Sequence, residues 1–94
     1  MTSMAALSTQ EIADRVIQVI AKTQHIQPES FTAESTFEEM KIDSLDGINI
    51  VFAVENEFGV NVPDEAMKQL RSVRDVITGV EALLAAKANG ASVS

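Results

Sequence analysis

Residues 43–59 read Asp-Ser-Leu-Asp-Gly-Ile-Asn-Ile-Val-Phe-Ala-Val-Glu-Asn-Glu-Phe-Gly, and their spacing decides the kind of fold the chain adopts. Advancing 100° per residue, Ile48, Ile50, Val51, Phe52, Val54 and Phe58 cover well over half of a helical circumference. The spacing predicts a helix from Ser44 to Phe58. Gly59 is placed to stop it, because glycine takes the left-handed conformation that closes a helix. A helix this broadly apolar is expected to pack on more than one side. Its remaining arc holds Asp46, Asn49, Asn56 and Glu57, with Leu45 and Ala53 among them.

Upstream, Ser8-Thr9-Gln10-Glu11 has the form of a capping box, in which Ser8 and Glu11 satisfy each other's free backbone amides. Ile12, Val16, Val19 and Ile20 follow at helical spacing, and helicity is expected to fade by His25, just before Pro28. Between the two helices lie seventeen residues, Gln27 to Asp43, rich in Ser, Thr and Glu. A connection this long in a compact domain has to be functional or pinned. Ile26, Phe31, Phe37, Met40 and Ile42 are the expected pins. Downstream, Val62-Pro63-Asp64 begins a short helical turn reaching about Gln69. Ser72-Val73-Arg74-Asp75 resembles a second capping box, opening a last helix from Val73 to about Ala86. No segment alternates like a strand. The expected fold is all-α, a small antiparallel four-helix bundle with three longer helices, one short one and a long first loop. The domain is expected to occupy 8–86, with flexible ends at 1–7 and 87–94. Val16, Ile20, Phe37, Ile48, Val51, Phe52, Val54, Met67, Ile77 and Val80 are the expected apolar lining. Phe52 reads equally well as core, partner contact or cavity gate.

Ninety-four residues allow one domain, and an apolar share of 46% is globular. The chain has no Cys and one His (His25), which excludes disulfides, thiolate zinc sites and a cysteine nucleophile, and leaves no basis for an imidazole metal site. The net charge of −7 argues against nucleic acid and anionic membrane surfaces as partners. From Glu29 to Glu65, ten acids face a single base, Lys41, a local −9. Such a stretch is either a solvated face or a match for a basic partner, since complementary potentials steer encounter. The start, MTSMAALSTQ, lacks the basic and long apolar regions of a signal peptide. No apolar run approaches the ~20 residues of a membrane span. A soluble, cytoplasmic monomer is the expectation.

Around Asp43-Ser44-Leu45-Asp46 the chain resembles the acyl carrier protein family, whose modified serine lies in an Asp-Ser-Leu tripeptide opening the second helix. The likeness extends through Phe37-Glu38-Glu39-Met40, Ile50-Val51, Ala53, Glu55-Asn56-Glu57-Phe58-Gly59 and Val62-Pro63-Asp64-Glu65 to Ser72-Val73, covering about Ser8 to Ala86. It implies that Ser44 receives a covalent 4′-phosphopantetheine from coenzyme A through a phosphopantetheinyl transferase (holo-ACP synthase). Acyl groups are then carried as thioesters on the arm's terminal thiol. It implies a non-catalytic protein that serves as substrate to acyl-chain synthases, an acyl-ACP ligase or acyltransferases with basic docking surfaces. Those partners would meet Asp43, Leu45, Asp46, Asn49, Phe52 and Asn56. It also implies a cavity between the helices that shelters the acyl chain.

The residues by themselves also permit a plainer role for Ser44, as the N-cap of the helix. Asn49 and Asn56 stand where bacterial fatty-acid-synthesis carriers usually have Glu, and Lys41 stands where they usually have Gly. These departures point to a specialised carrier with a dedicated synthase or acyltransferase, or to drift on a solvated helix. Gly47, inside the helix, is either a tolerated glycine or room left beside the arm's root. A polyketide, peptidyl or aminoacyl carrier, and an unmodified acidic adaptor, are the alternatives. A serine hydrolase is disfavoured because no G-x-S-x-G elbow is present. An EF-hand fails because its first ligand would fall at Ile42.

Overall fold

The computed structural model describes residues 8–88, which form four α-helices: α1 (Thr9–Gln24), α2 (Ser44–Phe58), α3 (Asp64–Met67) and α4 (Val73–Ala88). A single 3-10 turn, Pro28–Ser30, interrupts the first connection, and no strand occurs among the described residues. The all-α four-helix expectation holds. Of the flexible ends expected at 1–7 and 87–94, residues 1–7 and 89–94 lie outside the described residues. Helix α4 runs through Lys87 to Ala88, past the expected end at Ala86, and the Lys87 ammonium donates to the Gly59 carbonyl at 2.9 Å. That bond ties the end of α4 to the turn after α2.

Local chemistry sets the helix ends. Ser8 and Glu11 make the reciprocal capping box, with Ser8 N donating to Glu11 Oε1 at 2.9 Å and Glu11 N to Ser8 Oγ at 3.1 Å. His25 closes α1 in the left-handed conformation at φ 58°, and Gly59 closes α2 at φ 66°. At the start of α4, the Asp75 carboxylate accepts from the amides of Arg71 and Ser72, while Ser72 Oγ accepts from Asp75 N.

The core is assembled on α1. Ile12, Val16 and Ile20 are buried and meet Ile50, Val54 and Phe58 of α2 and Val73, Val76, Ile77, Val80 and Leu84 of α4. Every fully buried side chain among the described residues is apolar, so no polar group is desolvated without compensation. The long connection is pinned as its composition requires. Phe31 is buried, and Phe37, Met40 and Ile42 pack on the core. Ile26 does not; it is 38% exposed and lies in the turn that follows α1. Thr36 and Glu39 form a further reciprocal pair at 2.9 and 3.1 Å. Phe37 N donates to Arg71 O, and Val73 N to Ser35 O, joining the loop to the start of α4 through an isolated bridge between Thr36 and Ser72.

Helix α2 departs from expectation on one arc. Phe52, read as lining, is 53% exposed and Leu45 72% exposed; Ile48, also read as lining, is 41% exposed but does wall a groove between the loop, α2 and α3. Three apolar residues at spacings of three and four form one face turned to solvent. Periodicity records that a position is apolar; it does not record whether another element of the same chain covers it.

Candidate functional site

The first turn of α2 is positioned by Asp43. Its backbone is extended, and its carboxylate accepts the Asp46 amide at 3.0 Å. Asp43 is therefore the N-cap and Ser44 the first helical residue, which corrects the plainer sequence reading of Ser44 as the cap. The two residue types are both good caps. The cap needs an extended residue whose side chain turns back, and here that is the aspartate. The consequence is chemical: the Ser44 hydroxyl is not used in capping, and the residue is exposed. The Asp46 amide is satisfied by Asp43 and the Gly47 amide bonds Asp43 O at 2.9 Å. The amides of Ser44 and Leu45 have no intrahelical acceptor to reach, as at any helix start. An anion attached at Ser44 would meet those donors and the positive end of the helix dipole.

Ser44 opens onto a groove of about 510 Å³ between the loop, α2 and α3. Its walls are Phe37, Ile42, Gly47, Ile48, Val51, Met67 and Leu70, with Asp43, Asp64 and Lys68 as the charged members. Val51 and Leu70 also border a second, inner groove of about 230 Å³ between α2, α3 and α4. That groove is walled by apolar side chains and Gly79 alone, among them Val54, Val62, Ala66, Val76, Val80 and Leu83. The two grooves share Val51 and Leu70 as walls, so the apolar groove lies next to the one the serine opens onto. A flexible chain with a polar root and an apolar end matches this sequence of surfaces.

The other candidate positions fall on the same end and outer side of α2. Asp43, Leu45, Asn49, Phe52 and Asn56 are exposed, and Asp46 is half-buried. Phe52 is thus resolved as a surface residue and lines neither groove. The Lys41 backbone, three residues before Ser44, is held in the left-handed region at φ 60°. That conformation gives a physical reason for glycine at such a position. Sequence reading noted Lys41 as a charge and missed the backbone requirement. Lys68 was missed altogether as a wall of the serine's groove; its place four residues after Asp64 is the only signal the sequence carries.

Two ion pairs occur among the described residues. Arg15 pairs with Glu57 at 2.7 Å, tying α1 to α2, and Arg74 pairs with Glu34. The hydrogen bond and the charge of Glu34 raise the Arg74 pKa above its ordinary value. No cluster of potential metal ligands occurs among the described residues, and no helix there is long and apolar enough to cross a membrane.

The fold is thus a small helical bundle whose second helix opens on an exposed serine that takes no part in capping. A model of the phosphopantetheine attachment site matches residues 14–80. The chain is 35% identical to an acyl carrier protein of Thermosynechococcus vestitus over 81 residues, 85% of this chain and 100% of that one. It is 38% identical to a mitochondrial acyl carrier protein of Dictyostelium discoideum over 73 residues, 78% of this chain and 61% of that longer one. To the meromycolate extension acyl carrier protein of Mycobacterium leprae it is 34% identical over 79 residues, 83% of this chain and 69% of that one. The crystal structure of an acyl carrier protein from Thermotoga maritima superposes with a TM-score of 0.72 at 28% identity, covering 81% of this chain and 89% of that one. The chain belongs to the acyl carrier protein family, and the covalent group of that family is 4′-phosphopantetheine.

Proposed function

We propose that Ser44 carries the 4′-phosphopantetheine arm and that the protein has no catalysis of its own, presenting arm-bound acyl thioesters to partner enzymes. The observation that carries this reading is Ser44, exposed as the first helical residue, released from capping by Asp43 and lining a groove with mostly apolar walls. Of the arm's chemistry, the thiol is what the chain itself lacks, having no Cys. The chain's own residues supply an accessible oxygen for a phosphodiester, helix-end amides toward that anion, and neighbouring grooves with apolar walls for what the thiol bears. The inner groove favours an aliphatic cargo, because each methylene withdrawn from water contributes about 0.8 kcal/mol.

Partners, among them a phosphopantetheinyl transferase and acyl-chain synthases, ligases or acyltransferases, dock on Asp43, Leu45, Asp46, Asn49, Phe52 and Asn56. The exposed Leu45 and Phe52 supply the apolar contact and Asp43 and Asp46 the charge. Asn49 and Asn56 make this face less acidic than the carboxylates usual there, which fits a dedicated partner set within cytoplasmic lipid synthesis. Incubation with coenzyme A and a phosphopantetheinyl transferase is expected to raise the intact mass of the wild type by one phosphopantetheine and leave Ser44→Ala unchanged. A wild type that gains no mass, or a Ser44→Ala protein that does, refutes the assignment.

A further inference from the structure

The groove beside Ser44 has three charged walls, Asp43, Asp64 and Lys68. The two carboxylates repel an anion placed at the serine; Lys68 alone among the groove walls attracts it. Lys68 is exposed and follows Asp64 by four residues, the spacing at which a helical ion pair forms. Yet Lys68 makes no ion pair among the described residues; the only pairs are Arg15–Glu57 and Arg74–Glu34. Its backbone is the C-cap of α3, with its amide bonding Asp64 O at 3.2 Å, so the backbone is fixed while the ammonium makes no ion pair. Two more exposed cations, Lys41 and Arg71, are each next in the chain to a groove wall (Ile42 and Leu70) but do not line the groove themselves.

Resting on Ser44 as the attachment point, we infer that Lys68 holds the phosphodiester of the arm and thereby turns the arm into the groove. The diester, one negative charge on Ser44, is drawn from the Asp43 side toward α3. The chain beyond it then starts along Met67 and Leu70, walls of the same groove, and spends less time in open solvent. Lys68 is a positioning residue in this scheme; it takes no part in forming the diester. Arginine preserves the effect and glutamate reverses it.

The test is NMR of the phosphopantetheinylated protein, prepared with coenzyme A and a transferase and verified by intact mass. In the wild type at low salt, cross-peaks between pantetheine protons and the Met67 and Leu70 methyls are expected, weakening as salt approaches 0.5 M because the Debye length shrinks. Lys68→Glu and Lys68→Gln are expected to reduce those cross-peaks about two- to five-fold, the scale of an exposed ion pair, and to sharpen the phosphorus resonance. Lys68→Arg should retain both. If either Glu or Gln variant is loaded and folded by circular dichroism but shows wild-type cross-peaks and phosphorus linewidth, the inference is wrong. If the wild type is never loaded, the failure lies with Ser44 and shows in the mass alone.

Discussion

Lys41 offers a sharp energetic test of the local backbone. Its φ of 60° places an L-residue in the left-handed region, at an exposed site in the loop just before Ser44. Crowding of Cβ against the following carbonyl oxygen costs roughly 1–2 kcal/mol there. Glycine has no Cβ and escapes that cost, but it loses about 0.4–1 kcal/mol through the greater freedom of its unfolded chain. Lys41→Gly should therefore stabilise the protein by about 0.5–1 kcal/mol. For a domain of this size that corresponds to roughly 2–8 °C in Tm. The amide of Lys41, which bonds Glu38 O at 3.1 Å, is kept in the variant. Its companion, Lys41→Ala, removes the same charge and retains Cβ, so it separates backbone relief from electrostatics and should give no gain. Thermal unfolding followed at 222 nm and a urea titration are the assays. A glycine variant no more stable than the alanine variant would refute the strain argument. Equal gains in both would assign the effect to the lost lysine charge.

Gly47→Ala should stabilise α2 by about 0.5–1 kcal/mol, since a Cβ there meets nothing within 4 Å and alanine is the better helix former; a urea titration measures it. Gly47 also walls the Ser44 groove, so an unchanged rate of loading from coenzyme A would show that the added methyl does not obstruct the arm's root. Phe58→Ala should cost about 3–5 kcal/mol, because the ring is 1% exposed at the meeting of α1, α2 and α4, and a denaturant midpoint little changed from wild type would contradict the packing. Leu45→Ala and Phe52→Ala should leave stability within about 0.5 kcal/mol while lowering transfer by a partner enzyme about 5- to 30-fold, as loss of apolar interface anchors does; wild-type kcat/KM in both would remove them from the docking face.

What could be read from the sequence was local. Ser8 with Glu11, Ser72 with Asp75, and Gly59 after Phe58 mark helix ends through chemistry confined to a few residues, and the helices begin and end there. The long connection was legible as pinned because Phe31, Phe37, Met40 and Ile42 are too apolar to leave in water. How it is pinned was not legible: the bonds from Phe37 to Arg71 and from Val73 to Ser35 join residues more than thirty positions apart, and nothing in either segment names the other. The choice of Asp43 over Ser44 as N-cap was equally hidden, since two adjacent good caps compete and the backbone before them decides. The serine itself was legible through family resemblance. Lys68 entered the site only when α3 was laid beside the start of α2.

The breadth of the apolar face on α2 is the point at which fold and function meet. Ile50, Val54 and Phe58 face the core, and Val51 turns toward the grooves. Leu45 and Phe52 remain, exposed on the outer side, with Ile48, 41% exposed, at the border between them and the Ser44 groove it also walls. Fully burying each such side chain would be worth about 1.5–3 kcal/mol, and the bundle forgoes much of that sum. A stability argument alone therefore leaves these three residues unexplained, and polar replacements there would cost the fold little. The proposed docking of partner enzymes accounts for them. On that proposal, a helix read as packed on more than one side is packed by its own chain on the core side, opens onto the grooves on the next, and is left free for partners on the last. The acidic residues that dominate Glu29 to Glu65 keep that open face soluble between encounters, and they are concentrated around the end of α2 where the serine lies.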